Sequence, residues 1–197
     1  MSVIGIYGGT FNPVHLAHLN MAIQMKEIHD LDEVWLIPVR EHPFNKECSL
    51  ASFALRMRML ELALVPYPYL KALDIEGERG GTSYTIDTLR EIKKRYPEYS
   101  LRLILGEDAL DHFHLWKEPE EILRLAPPLI GRRLSKDHIV PYISPFVTTC
   151  LEIGQTKTLN LEISSTLIRH RIEQKLEYRH LLSSKVFEFI EENALYL

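Results

Sequence analysis

The chain has 197 residues, 46% of them hydrophobic and 25% charged, with a formal charge of −4. That balance suits one soluble unit that buries its own core, and the acidic excess argues against a general nucleic-acid binder. Two distant cysteines, Cys48 and Cys150, with no CxxC, no basic leader segment and no run near the roughly 18 apolar residues that span a bilayer point to a cytoplasmic protein without a membrane partner.

Strand and helix patterns alternate along the chain. Residues 2–8 (SVIGIYG) predict a buried strand closed by glycine, and 15–29 predict a helix. EVWLIPV (33–39) reads as a second strand. In 50–65, Phe53, Met57, Leu60 and Leu64 form a helical stripe. YLKALDI (69–75) is a weaker strand. SYTIDTLREIKKRY (83–96) predicts a helix with Ser83 as N-cap, Asp87 in its first turn and Pro97 as its stop. LRLILG (101–106) is a strand, followed by short helical stretches around 107–114 and 119–125. PPLIGRR (127–133) is a strand. Residues 134–158 carry no legible pattern, TLNLEI (158–163) predicts a last strand, and helices near 164–174 and 184–193 close the chain. The expected fold class is α/β: a Rossmann-like, mostly parallel sheet with helices on both faces and a small C-terminal helical part. Ligands of such sheets bind beyond the carboxyl ends of the strands. That directs attention to Gly8–Thr10, Pro38–Lys46, Gly106–Asp108 and Arg132–Arg133.

The first of these regions reads GGTFNPVHLAHL (8–19). It fits neither the G-x-G-x-x-G fingerprint nor a Walker A loop, because the later glycines and the lysine are missing. His15 and His18 share a face at i, i+3, but no H-E-x-x-H or third ligand supports a metal site. A glycine-rich turn entering a helix with two histidines in its first turn suits phosphate, through free N–H groups, the helix dipole and imidazole donors. It also reads as a plain strand–helix turn. EISSTLIRHR (162–171) repeats the pattern, with Ser164, Ser165, Thr166 and Arg169 at a helix start. A serine cap with a surface arginine is the structural alternative. Two such helix starts in one chain favour a triphosphate, which needs several donors.

At this point the residues carry a resemblance. GxTF-P-HxxH near one end with ISSTxxR near the other is similar to the HIGH-type nucleotidyltransferase superfamily, and the whole chain resembles its nicotinate-nucleotide adenylyltransferases. GGTFNPVHLAHL matches that family's GGTFDPxHxGH, RMRMLELAL (56–64) its R-x-x-M-L-x-L-A helix, and SYTIDTL (83–89) its SYTxxTL. LILGEDAL (103–110) with Trp116 matches a G-x-D segment and following tryptophan, EISSTLIR matches ISxTxIR, and VFEFIEENALY resembles the C-terminal helix.

The resemblance implies one nucleotidyltransferase domain over 1–197 that takes ATP and nicotinate mononucleotide, with Mg2+ accompanying ATP and no protein-held metal. It implies catalytic roles for His18, at the α-phosphoryl group, and His15, at the triphosphate. ATP would also meet Gly8, Gly9, Thr10, Phe11, Gly106, Asp108, Ile163, Ser164, Ser165, Thr166 and Arg169. The mononucleotide would meet Lys46, Tyr84, Thr85, Trp116 and Arg133, with Trp116 stacked on the pyridine ring and Thr85 offering its amide to the carboxylate. Arg56 is expected to support the fold, and His112 and His114 to be surface or packing residues. Four departures fall in substrate-facing loops: Asn12 for Asp, Ala17 for the glycine of HxGH, HPFNK (42–46) for PPHK, and Leu134–Ser135 for Pro-Gly. The alternatives are another acceptor, such as nicotinamide mononucleotide or phosphopantetheine, and a catalytically silent nucleotide-binding protein.

Overall fold

Apolar side chains alternate along each central strand, so each strand serves two cores at once. In β1 (Val3–Gly9), Ile4 and Ile6 enter one core, while Val3 and Tyr7 pack against the other. A computed structural model describes residues 2–41, 51–132 and 143–197. After β1 come α1 (Leu16–Ile28), β2 (Glu33–Pro38), α2 (Phe53–Leu64), β3 (Leu70–Ala72), α3 (Ile75–Arg79) and α4 (Thr85–Arg95). They are followed by β4 (Ser100–Gly106), a 3₁₀ helix (Glu107–Leu115), α5 (Pro119–Leu125) and β5 (Pro128–Arg132). The chain then forms α6 (Pro145–Ile153), β6 (Gln155–Lys157), α7 (Ser165–Glu173) and α8 (Ser184–Glu192).

Among the described residues, six strands form one sheet in the order β3-β2-β1-β4-β5-β6, and every pairing is parallel. Leu19, Ala22 and Met25 of α1, Met59 and Leu60 of α2, Ile168 of α7 and Val186 of α8 cover one face. Ile75 of α3, Ile86 and Leu89 of α4, Ile122 of α5 and Leu151 of α6 cover the other. This is the doubly wound α/β architecture that the alternation predicts. The chain winds outward from β1 in one direction and from β4 in the other. The carboxyl ends of these two neighbours therefore flank the crevice where such sheets hold ligands.

Three local expectations are corrected. Tyr84, not Ser83, is the N-cap of α4, and it makes no side-chain cap bond. Ser83 Oγ instead accepts from the Arg40 amide at 3.1 Å and pins the end of β2 to the loop before α4. The predicted strand at 158–163 does not form; the last strand is β6, and 158–163 is unpaired in the sheet. Its alternating leucines mark exposed positions, Leu159 and Leu161, rather than a core face. The stretch 69–75 also divides, with β3 ending at Ala72 and α3 starting at Ile75.

Candidate active site

The loop after β1 is built from backbone that other residues hold in place. Phe11 takes a left-handed φ of 47°, unfavourable for a residue with a Cβ. Burial offsets the cost: its ring is 1% exposed and meets Tyr7 and His18 edge-on. The Asn12–Pro13 bond is cis. Arg56, 2% exposed on α2, spreads its guanidinium over carbonyls of this loop and its neighbours. It donates to Thr10 at 2.8 Å, Val39 at 2.7 Å and Ala51 at 3.1 Å. Burial pulls the Arg56 pKa down. Arg56 is thus a support, as the sequence suggests.

Asn12 is buried in the same knot. Its Oδ1 accepts from the Ala51 amide at 3.1 Å and from the Tyr196 hydroxyl at 2.7 Å. Its Nδ2 has no partner among the described residues. Asn12 therefore works as an acceptor, a role that an aspartate at this position would share.

His15 caps α1 and His18 lies in its first turn. Their rings stack with centroids 3.7 Å apart. The His15 amide donates to His18 Nδ1 at 3.2 Å. An accepting Nδ1 leaves the neutral ring's proton on Nε2. Burial lowers the His15 pKa from 6.5 to about 4. His18 is held well below the usual histidine value, first by burial and then by His15. At neutral pH the pair is uncharged, and His18 is an N–H donor rather than a cation.

The second helix start lies against the first. Ser164 caps α7 by accepting from the Leu167 amide at 3.1 Å. Ser165 Oγ donates to the Pro13 carbonyl at 2.8 Å, and Arg169 donates to the Asn12 carbonyl at 2.9 Å. Side chains that the sequence offers as phosphate donors therefore also tie α7 to the loop after β1.

Two cavities open at the carboxyl end of the sheet. The larger, about 660 Å³, is lined by His15, His18, Gly106, Asp108, Ser164 and Ser165, among others. Ala17 forms part of its wall without closing it. The smaller, about 200 Å³, is lined by Thr10, Tyr84, Thr85 and the buried Glu76. Gly8, Gly9, Ile104, Leu105 and Trp116 line both, so the two spaces meet across the β1/β4 crevice. Trp116 leans on Phe113, with centroids 5.0 Å apart. Phe11, Thr166 and Arg169 line neither cavity, whereas Ile163 lines the larger. Lys46 and Arg133 lie outside the described residues.

Other residues complete the walls without having stood out in the sequence. Lys117 lines the smaller cavity, 4.9 Å above the Tyr84 ring and 3.0 Å from Asp87. His112, expected as a surface or packing residue, is exposed yet contributes to the larger cavity. Asn20 and Gln24 of α1 bond to Leu159. Their i, i+4 spacing was the available signal, although such a polar pair usually marks a solvated face. No group of three His, Cys, Asp or Glu able to hold a metal occurs among the described residues. No helix of the described residues is long and apolar enough to cross a membrane.

The sequence model of the cytidylyltransferase-like family matches residues 6–171. A probable nicotinate-nucleotide adenylyltransferase of Flavobacterium psychrophilum is 37% identical over 193 residues, covering 98% of each chain. A nicotinate-nucleotide adenylyltransferase of Bacillus subtilis is 35% identical over 196 residues, covering 100% of this chain and 99% of the relative. The Plasmodium falciparum nicotinic acid mononucleotide adenylyltransferase complexed with NaAD superposes with a TM-score of 0.80. Its identity is 20%, over 100% of this chain and 98% of that one, so it bears on the fold alone.

Proposed function

The chain belongs to the nicotinate-nucleotide adenylyltransferases of the cytidylyltransferase-like family, and from this we propose that it transfers AMP from ATP to nicotinate mononucleotide. A phosphate oxygen of the mononucleotide attacks the α-phosphorus of ATP. The bond to the β-phosphate breaks, pyrophosphate leaves, and nicotinate adenine dinucleotide remains. The reaction belongs to NAD biosynthesis.

The observation that supports this reading best is the pair of cavities meeting at Gly8, Gly9 and Trp116. Two nucleotides between which an adenylyl group passes need two spaces with a common border. ATP takes the larger, with its phosphates near His15, His18 and the start of α7. The mononucleotide takes the smaller, with its ring against Trp116 and its carboxylate at the start of α4. As the first two helical residues, Thr85 and Ile86 have amides without intrahelical acceptors, which suits an anion. A phosphate monoester has a second pKa of about 6, so the nucleophile needs no general base. Catalysis is then positioning plus stabilisation of charge in the transition state. His18 Nε2–H donates to the α-phosphoryl oxygens, and His15 holds the triphosphate beside it. Ser164, Ser165, Thr166 and Arg169 support the departing phosphates, partly by fixing the loop after β1. Lys46 and Arg133 belong to the mononucleotide side. Asp108 is the one carboxylate among the described residues lining the larger cavity. That donor set suits a magnesium ion that arrives on the triphosphate and keeps phosphate and water ligands.

The test is pyrophosphate release from ATP and magnesium with nicotinate mononucleotide, nicotinamide mononucleotide or phosphopantetheine as acceptor. Release is expected to be fastest with nicotinate mononucleotide. Faster release with either rival reassigns the acceptor, and no release with any of the three overturns the transferase reading.

A further inference from the structure

One buried carboxylate stands at the wall of the smaller cavity and takes no part in the phosphate chemistry. The short helix α3 turns Ile75 into the core and places Glu76 beside it, 5% exposed, where it lines that cavity. A carboxylate leaves water at a cost that its partners must offset. Among the described residues the direct partners of Glu76 are neutral. Its Oε1 accepts from the Thr88 hydroxyl at 2.7 Å, and its Oε2 accepts from the Arg40 amide at 3.3 Å. The Arg79 guanidinium stops one bond short, with both terminal nitrogens donating to Thr88 Oγ1 at 3.2 Å. A guanidinium only donates, so the Thr88 oxygen accepts from Arg79 and its own hydrogen goes to Glu76. A hydroxyl and an amide satisfy the carboxylate oxygens but leave a negative charge in a wall of low dielectric.

Holding α3 in place does not require that charge. The Arg40 side chain already ties α3 to the end of β2, donating to the Gly77 carbonyl at 2.7 Å. Arg79 ties α3 to α4 through Thr88. A neutral side chain at position 76 would complete these contacts with less desolvation. The charge does match what enters the cavity. Thr88 lies one helical turn along α4 from Thr85, so Glu76 stands near the amides that suit the acceptor carboxylate, across the cavity wall from Trp116. A pyridine ring that carries ribose on its nitrogen is a pyridinium cation. With its carboxylate it is a zwitterion, which asks for one negative and one positive surface.

We propose that Glu76 recognises the positive ring of the acceptor, so that the smaller cavity selects an N-substituted pyridinium over a neutral ring of the same shape. The start of α4 then serves the ligand's negative charge and α3 its positive one. The proposal rests on the smaller cavity being the mononucleotide site.

The neutral probe is the C-nucleotide with a meta-carboxyphenyl ring in place of the pyridinium. Its carboxylate, ribose and nucleophilic phosphate are those of nicotinate mononucleotide. Pyrophosphate release gives KM for each acceptor. In the wild-type protein, KM for the neutral analogue is expected to be at least roughly tenfold higher, the scale of one charge pair in a partly screened cavity. Trp116 also favours a cation, so a variant assigns the effect to Glu76. Glu76→Gln keeps the shape and can still accept from Thr88. It should raise KM for nicotinate mononucleotide about tenfold, while KM for the neutral analogue and for ATP changes less than about twofold. A role confined to holding α3 against α4 would move both acceptors together and keep their ratio. Glu76→Asp, which draws the charge back by one methylene, should lower that ratio about threefold and serves if Glu76→Gln folds poorly. Equal KM for the two acceptors in the wild-type protein, or a ratio that the variant leaves unchanged, overturns the proposal. If the wild-type protein releases pyrophosphate with neither acceptor, the mononucleotide reading of the cavity falls instead.

Discussion

His15 and His18 stack at 3.7 Å, a distance that two imidazolium ions would not tolerate. Burial keeps both rings neutral, and the His15 amide directs the His18 proton to Nε2. The donor is therefore oriented before substrate arrives, which is what transition-state stabilisation requires. His18→Ala should lower kcat roughly 10²–10⁴-fold. Steady-state pyrophosphate release checks this, and near-normal turnover would remove His18 from the proposed role. The same burial links stability to pH. His15 binds its proton less readily folded, with a pKa of about 4, than unfolded at 6.5. Between those values the unfolded chain holds more protons. Stability is therefore complete above pH 6.5 and declines as pH falls toward 4, by about 1.4 kcal/mol per unit of pKa difference. His18 acts in the same direction. Urea midpoints at pH 7.5 and pH 5 should show the loss, and His15→Gln should reduce it. A His15→Gln variant with an undiminished pH slope would place the linkage elsewhere. The histidines were legible in the sequence as residues of interest. Their neutrality was not, because it depends on burial, with Phe11 and Tyr7 packed against His18 and His18 against His15, and spacing says nothing about packing.

At the level of elements, α4 offers a clean separation of binding from stability. Thr85 is its first helical residue, preceded by Tyr84 in extended backbone with φ −112° and ψ 132°. Proline is tolerated at that position, and an extended residue may precede it, so Thr85→Pro removes one amide proton while keeping the helix. If that amide binds the nicotinate carboxylate, KM for nicotinate mononucleotide should rise about tenfold, the scale of a lost hydrogen bond to a charged group. KM for ATP should stay unchanged, and Tm should barely move. A Thr85→Pro enzyme with normal acceptor KM would exclude the amide from binding. Legibility also varied by element. α4 and β4 were clear because a single periodicity and plain stops, Pro97 and Gly106, govern them. Ser83 misled because a hydroxyl before a helix usually caps it, whereas here it holds the Arg40 amide. TLNLEI misled for a related reason: alternation marks a strand only when another strand is available, and here Gln24 takes that place.

Across the whole molecule, the mostly parallel sheet with helices on both faces follows from the alternation of strands and helices and was accessible from the sequence, whereas the strand order and the last strand, β6, were not. The site was accessible in parts. Glycines, histidines and the serine-rich helix start could each be found, because their chemistry is local. The larger cavity was not, since its walls come from α1, the 3₁₀ helix, 159–161 and α7, which meet only through the fold. Lys46 and Arg133 lie outside the described residues, so their part in the site rests on the family resemblance.

The loop after β1 is made long before the residues that secure it. Its ties to Ser165, Arg169 and Tyr196 span 152, 157 and 184 residues. At a synthesis rate of about 5–20 residues per second, the interval between making the loop and completing those ties is roughly 10–40 s. During that time β1 and α1 can pack on β2, but the loop lacks the ties to Ser165, Arg169 and Tyr196. The loop thus gains its full set of ties only once Tyr196 has been made, and a ribosome stalled before Tyr196 would carry a nearly complete sheet with an unfinished loop.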